Sequence, residues 1–259
     1  MRLGRAEEAV DEARGGAGAL GALALGEALL AAGDLAEARA LLLEATAPQL
    51  LRLRAEVLST AGEPEQALGL ATRALAALTE PLERAEAEAT LAACLHRAAA
   101  WPAALHHWEA ARVGLIAELG PDHPDVAAIL DGLGLTMRRL GRYRESLELH
   151  QAALPLHQRA FGAWHPGVAG NLHAQAQTLR RLGDFEEARD ALAEAWQVSV
   201  RVQGEHHPDT LTTAFELGRL EVDCGQVEEG FGRMGAAYEA LRVRLGPQHP
   251  TVVAMEGWL

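Results

Sequence analysis

The chain has 259 residues, 49% of them apolar and 23% charged, a composition that can build a folded core and excludes disorder of the whole chain. With 23 basic against 36 acidic residues the net charge is −13, which argues against nucleic acid as the main partner, because phosphate backbones are met by clustered positive charge. Two cysteines, Cys94 and Cys224, are too few for a disulfide scaffold and fit a reducing compartment. Every basic residue is arginine, and with abundant alanine and glycine this bias fits a bacterial genome of high GC content. The most apolar stretch, Gly15 to Ala32, is broken by Glu27 and several glycines, short of the roughly 20 unbroken apolar residues of a membrane span. Glu7, Glu8, Asp11 and Glu12 stand where a secretory signal would be basic. A cytoplasmic chain away from membranes is expected.

In chain order the same pattern recurs. Arg2-Leu3-Gly4-Arg5 is identical to Arg139-Leu140-Gly141-Arg142, so the chain starts like a second helix that lacks its first. Ala22, Leu25, Gly26, Leu29 and Gly33 then precede Leu35, Ala38, Leu42 and Ala45, with the spacings of a helix, a turn and a helix. Leu51, Ala55, Leu58 and Gly62 precede Ala67, Ala71 and Ala74 in the same way, and Ala92, Leu95 and Ala99 precede Trp101, Ala104, Trp108 and Ala111. From there the period locks at 42 residues. His-Pro recurs at His123–Pro124, His165–Pro166, His207–Pro208 and His249–Pro250, each three residues after a glycine. After His123–Pro124 come Val126, Ile129, Leu130, Leu133 and Met137 on one helical face, then Gly141 where a left-handed helix end belongs. Proline just inside each start suits the first helical turn, where its missing N–H is not needed. No run alternates as a strand would. Thr251 to Leu259 begins one more first helix and stops, so the ends read either as those of an excised piece of a longer protein or as open surfaces that pack on something.

These residues resemble the tetratricopeptide repeat. Its small residue in the first helix matches Gly26, Ala55, Ala92, Gly134, Ala176 and Gly218. The two small residues of its second helix match Ala38, Ala67, Ala104, Ser146, Ala188 and Gly230, and then Ala45, Ala74, Ala111, Ala153, Ala195 and Ala237. The 42-residue period with Gly-x-x-His-Pro is similar to the kinesin-light-chain type of repeat. The resemblance implies an all-α, right-handed superhelical solenoid forming one domain over residues 1–259. Residues 1–83 hold shorter, irregular repeats, and 84–259 the 42-residue type with an incomplete last member. Where that type has paired asparagines, this chain has Asp131-Gly132, His173-Ala174 and Phe215-Glu216, so a role for those asparagines does not carry over.

Motifs for chemistry are weak. Gly16, Gly18 and Gly21, and Gly230, Gly232 and Gly235, match a dinucleotide fingerprint, but neither set follows a strand. Glycine inside a helix costs about 1 kcal/mol relative to alanine, so the last full repeat is expected to be the softest. The His-Pro histidines read as loop caps in a row, too far apart to share an ion, and Cys94 and Cys224 as inert core thiols. Without lysine there is no Schiff-base or phosphate-loop lysine, and no nucleophile motif is present. Neither cofactor nor metal nor catalytic residue is expected, and an enzyme is the least supported reading.

The resemblance implies that the first helices line a concave groove. At matching phases near their ends stand Arg97, Arg138 and Arg139, and Arg180 and Arg181, with His173, Gln177, Phe215 and Arg219 continuing the face. Arginine forks pair with carboxylates and phosphates. The expectation is a non-catalytic scaffold that holds another protein or peptide, an acidic one being what the arginines suit. The alternative is a regulatory segment of, or partner to, a bacterial signalling enzyme such as a protein kinase, a caspase-like protease or a signalling NTPase. Trp258 is expected to make a terminal apolar contact.

Overall fold

The computed structural model describes residues 19–259; Arg2-Leu3-Gly4-Arg5, Gly16 and Gly18 lie outside the described residues. Within them the chain forms thirteen helices and no strand. They are α1 Ala19–Ala32, α2 Leu35–Leu41, α3 Pro48–Thr60, α4 Pro64–Ala77, α5 Pro81–Arg97, α6 Trp101–Leu119, α7 Pro124–Arg139, α8 Tyr143–Phe161, α9 Pro166–Leu182, α10 Phe185–Gln203, α11 Pro208–Asp223, α12 Val227–Leu245 and α13 Pro250–Glu256. Packing divides the chain into two compact units, the first ending at Pro121 and the second starting at Asp122.

Each His-Pro is a helix start built from both of its residues. Proline takes the first helical turn, and His123, His165, His207 and His249 each accept, through Nδ1, the backbone N–H two residues on, at 2.9–3.3 Å. The histidines are thus N-caps, one per repeat. The turns inside the pairs use a left-handed residue, as at Gly183 with φ +92°. Ala99 holds that place in its own repeat with φ 59°, the one positive value at a non-glycine residue among the described residues. A β-carbon there crowds the following carbonyl. Ala99→Gly is therefore expected to raise stability by up to about 1 kcal/mol, the relief of strain exceeding the entropy that glycine adds to the unfolded chain. A thermal melt checks it, and an unchanged or lower midpoint refutes it.

In the first unit, Leu29, Ala38, Leu42, Leu53 and Val57 form one cluster, and Ala55, Leu58, Ala67, Ala71, Leu91 and Cys94 another. The second helix of the first pair is only seven residues long and ends at Leu41, so Ala45 lies outside any helix, contrary to the expectation from its phase. Pro48 opens α3 shortly after and holds Ala47 extended, leaving little chain to lengthen α2.

In the second unit, α8, α10 and α12 are each 19 residues long and stand 42 residues apart. Val168, Leu172, Leu179, Leu192, Val198 and Leu217 knit α9, α10 and α11 together. Leu211, Phe215, Met234, Leu241, Val252 and Met255 do the same for α11, α12 and α13. Of the small residues read from the sequence, Ser146, Ala153 and Ala188 are fully buried between the helices of this unit. Gly218 and Gly230 face one another so closely that a β-carbon on either would lie 2.5–2.7 Å from the other's carbonyl oxygen.

Candidate functional site

Within the second unit, α9 and α11 run side by side over α10 and leave a furrow between them. Each helix lines it with one stripe. On α9 the stripe runs Pro166, Gly170, His173, Gln177 and Arg180, and on α11 it runs Asp209, Thr213, Glu216, Leu220 and Asp223. Steps of three and four keep each stripe on one side of its helix.

At the C-terminal ends of the two helices the furrow widens into a cavity of about 740 Å³. Arg138 and Arg139 from the end of α7, Arg180 and Arg181 from α9 and Arg219 from α11 all line it, with Trp258 beside them. Arg180 is held by Asp223 at 3.3 Å, and the Arg219 guanidinium lies 3.6 Å from the centre of the Trp258 ring, a cation–π distance. Among the described residues Arg138, Arg139 and Arg181 have no ion-pair partner, and the buried Nε atoms of Arg138 and Arg219 have no hydrogen-bond acceptor. Burial, then the charges of Arg139 and Arg181, push the Arg138 guanidinium below its ordinary value. Burial and then Arg180 do the same to Arg219. Glu216 and Asp223 also line the cavity, so five guanidinium groups face two carboxylates and positive charge is in excess.

Across the middle of the furrow, His173 Nε2 lies 3.1 Å from Glu216 Oε2 and 2.8 Å from the Gln177 amide nitrogen. Burial alone would raise the Glu216 carboxyl; His173 first, then Gln177 and Arg219, outweigh it, and the group lies below the ordinary carboxylate range.

The residues expected at the site separate as follows. Arg138, Arg139, Gln177, Arg180, Arg181 and Arg219 meet at the cavity, and Trp258 joins them. His173 is at the furrow's midpoint. Arg97 is exposed at the end of α5 in the first unit and is not among the cavity's walls. Phe215 is a correction: it is 2% exposed and packs with Val252 and Met255 in the core. It holds the phase of His173, and in both repeats that phase faces the next first helix, where an apolar side chain joins the cluster. Sequence reasoning missed Glu216, Asp223 and Thr213 because the two walls of a furrow use different faces of neighbouring helices. The stripe on α11 is the stripe on α9 moved by one repeat and one further residue, about 100° around the helix.

Midway along α7, seven residues before Arg138, lies a polar network. Asp131, at the place of the paired asparagines, accepts from His150 Nδ1 at 2.9 Å, from His157 Nε2 at 2.7 Å and from the Asn171 amide at 2.6 Å. Asn171 also donates to the His150 carbonyl and accepts from the Gln175 amide. On the first helices of the first unit, by contrast, Arg52 is shared among Glu27, Glu56 and Glu86 at 3.1–3.4 Å. Among the described residues no helix is long and apolar enough to cross a membrane, and no three His, Cys, Asp or Glu side chains group as a metal would require.

The sequence profile of the tetratricopeptide repeat matches residues 83–159, 132–197 and 167–226, together more than half of the chain. No curated protein sequence matches it. Among solved structures, BtubC (BKLC) from P. vanneervenii is 19% identical with a TM-score of 0.67, over 96% of this chain and 92% of that one. A putative kinesin light chain of Podospora anserina with nearly identical TPR-like repeats is 18% identical with a TM-score of 0.63, over 75% of this chain and 94% of that one. A Rap protein complexed with competence and sporulation factor is 11% identical with a TM-score of 0.69, over 98% and 81%. At such identities the likeness is one of fold.

Proposed function

The chain belongs to the tetratricopeptide repeat family, and from that premise we propose that it is a non-catalytic scaffold whose second unit holds an acidic segment of a partner protein between α9 and α11. The observation that carries this reading is the cavity walled by five arginines, of which only Arg180 has an ion-pair partner among the described residues. A guanidinium fork takes a carboxylate through two parallel hydrogen bonds, and a partly buried setting weakens screening by salt. Stacked repeats present long binding surfaces rather than enclosed reaction chambers, which fits a binding role. The Rap protein of similar fold, complexed with competence and sporulation factor, is a further support. Free cysteines at Cys94 and Cys224 fit a cytoplasmic setting.

The test uses three baits in lysate of the source cells: the wild-type chain, Arg138→Glu/Arg181→Glu, and a charge-matched control, Arg144→Glu/Arg244→Glu, on exposed positions outside the cavity. A partner retained by wild type and control, and reduced at least tenfold on the cavity variant, is the expected result. Equal capture by all three, with helicity unchanged in circular dichroism, overturns the reading.

A further inference from the structure

The arginine cavity is larger and more positive than one acidic side chain requires. Its volume of about 740 Å³ lies in the range of small-molecule sites, roughly 300–1,000 Å³. Both of its carboxylates are already engaged, Glu216 with His173 at 3.1 Å and Asp223 with Arg180 at 3.3 Å. Five guanidinium groups against two carboxylates leave three positive charges over, and a single carboxylate would cancel one of them. The donors are also spread. Arg138 and Arg139 come from α7, Arg181 from α9 and Arg219 from α11, and the buried Nε–H groups without acceptors, those of Arg138 and Arg219, stand two repeats apart. The rest of the wall is aromatic and apolar. Exposed Phe185 and Trp258 line it with Leu192 and Ala176, and the Trp258 ring, with the Arg219 guanidinium over it, stays about half exposed.

We infer that this cavity is a site for a small oligophosphate ligand of the nucleoside diphosphate class, with its phosphoryl oxygens among Arg138, Arg139, Arg181 and Arg219 and its base against Trp258. The charges match. A terminal phosphoryl group carries about −1.5 to −2 at neutral pH and the phosphoryl group linked to it about −1 more, close to the surplus of three. Two linked phosphoryl groups offer acceptor oxygens in several directions, which suits donors on three helices; a carboxylate offers two oxygens in one plane. Every basic residue here is an arginine, and guanidinium forks take phosphate oxygens in pairs. The base adds a stacking contact on the indole ring that inorganic phosphate lacks. The binding itself is independent of the scaffold role proposed above; only the competition between this ligand and the partner's acidic segment rests on that role.

The experiment is isothermal titration of the whole chain, at fixed ionic strength and without added metal, with three probes: ADP, inorganic pyrophosphate and citrate, whose three carboxylates carry about the same charge. ADP is expected to bind wild type and the control Arg144→Glu/Arg244→Glu alike, and Arg138→Glu/Arg181→Glu at least tenfold more weakly. Citrate is expected to bind wild type at least tenfold more weakly than pyrophosphate. Trp258→Leu is expected to bind pyrophosphate as wild type does and ADP at least fivefold more weakly, so the retained pyrophosphate binding shows that the cavity is intact. No binding of ADP at millimolar concentration, equal binding by the cavity variant, or citrate equal to pyrophosphate overturns the inference. Undiminished ADP binding by Trp258→Leu overturns the place given to the base. From washed wild-type bait, ADP is expected to release the captured partner where sodium chloride of equal ionic strength does not. A partner held through the arginines by a chain that binds no ADP overturns this inference and leaves the scaffold reading standing. ADP bound through the arginines, with partner capture equal on Arg138→Glu/Arg181→Glu, does the reverse.

Discussion

Gly230→Val is expected to lower the thermal midpoint of the chain by on the order of 10 °C, the result of overpacking by about 3 kcal/mol in a domain of this size. The first atom added at position 230 already lies 2.5 Å from the Gly218 carbonyl oxygen and 3.0 Å from the Val222 amide nitrogen. Both neighbours belong to a helical backbone, so relief requires α11 and α12 to separate, which opens the cluster around Phe215, Met234 and Leu241. The sign reverses two and five residues later. Gly232 and Gly235 lie in the same helix, and an added β-carbon at either meets nothing within 4 Å. Gly232→Ala and Gly235→Ala are each expected to stabilise by about 1 kcal/mol through helix propensity alone. Differential scanning calorimetry on the three variants checks the contrast; equal effects of one sign at all three positions would refute this packing account.

That contrast marks how far the sequence alone reaches. The match of Gly230, Gly232 and Gly235 to a nucleotide fingerprint is a coincidence of composition, as the absence of a preceding strand implies. Two of the three helical glycines, Gly232 and Gly235, have open space around them, whereas Gly230 is the contact that lets the helices close. Periodicity made the helix pairs, the left-handed turns and the capping histidines legible, because each depends on a local rule repeated every 42 residues. It also brought Arg138, Arg139, Arg180 and Arg181 to one cavity, since residues at like phases on stacked helices fall in a row. It placed Phe215 in the groove wrongly, and overlooked Glu216 and Asp223, because repeat phase says where a residue stands on its own helix and not which neighbour it faces. The short α2 follows from Pro48, a signal the repeat phase passed over, whereas the division after Pro121 is a matter of how whole helices pack, which no local spacing encodes.

Removing the carboxylate of Asp131 is expected to cost about 2–4 kcal/mol, by the argument that breaking a buried ionic or hydrogen-bonded cluster leaves donors with nothing to meet. His150 is fully buried and His157 7% exposed, and Asp131 is the acceptor for both as well as for Asn171. The far nitrogens, His150 Nε2 and His157 Nδ1, are buried without partners, so neither ring can turn to another acceptor. Asp131→Ala leaves three donors unpaired at the junction of α7, α8 and α9. Asp131→Asn keeps the volume and loses part of the acceptance, so its cost falls between. Burial by itself would raise the Asp131 carboxyl, but the bonds from His150 and then His157 outweigh it, and the group titrates below its ordinary value. The sign of the pH dependence follows. A carboxylate depressed on folding contributes stability that is complete above its unfolded value of about 3.9 and is lost as pH falls through the lower folded value. The part of the gap between wild type and Asp131→Asn in urea unfolding that comes from the carboxylate's charge is therefore expected to be present above about pH 5 and to close below about pH 4. A gap that stays open as the carboxylate is protonated would show that Asp131 acts there through shape, not charge.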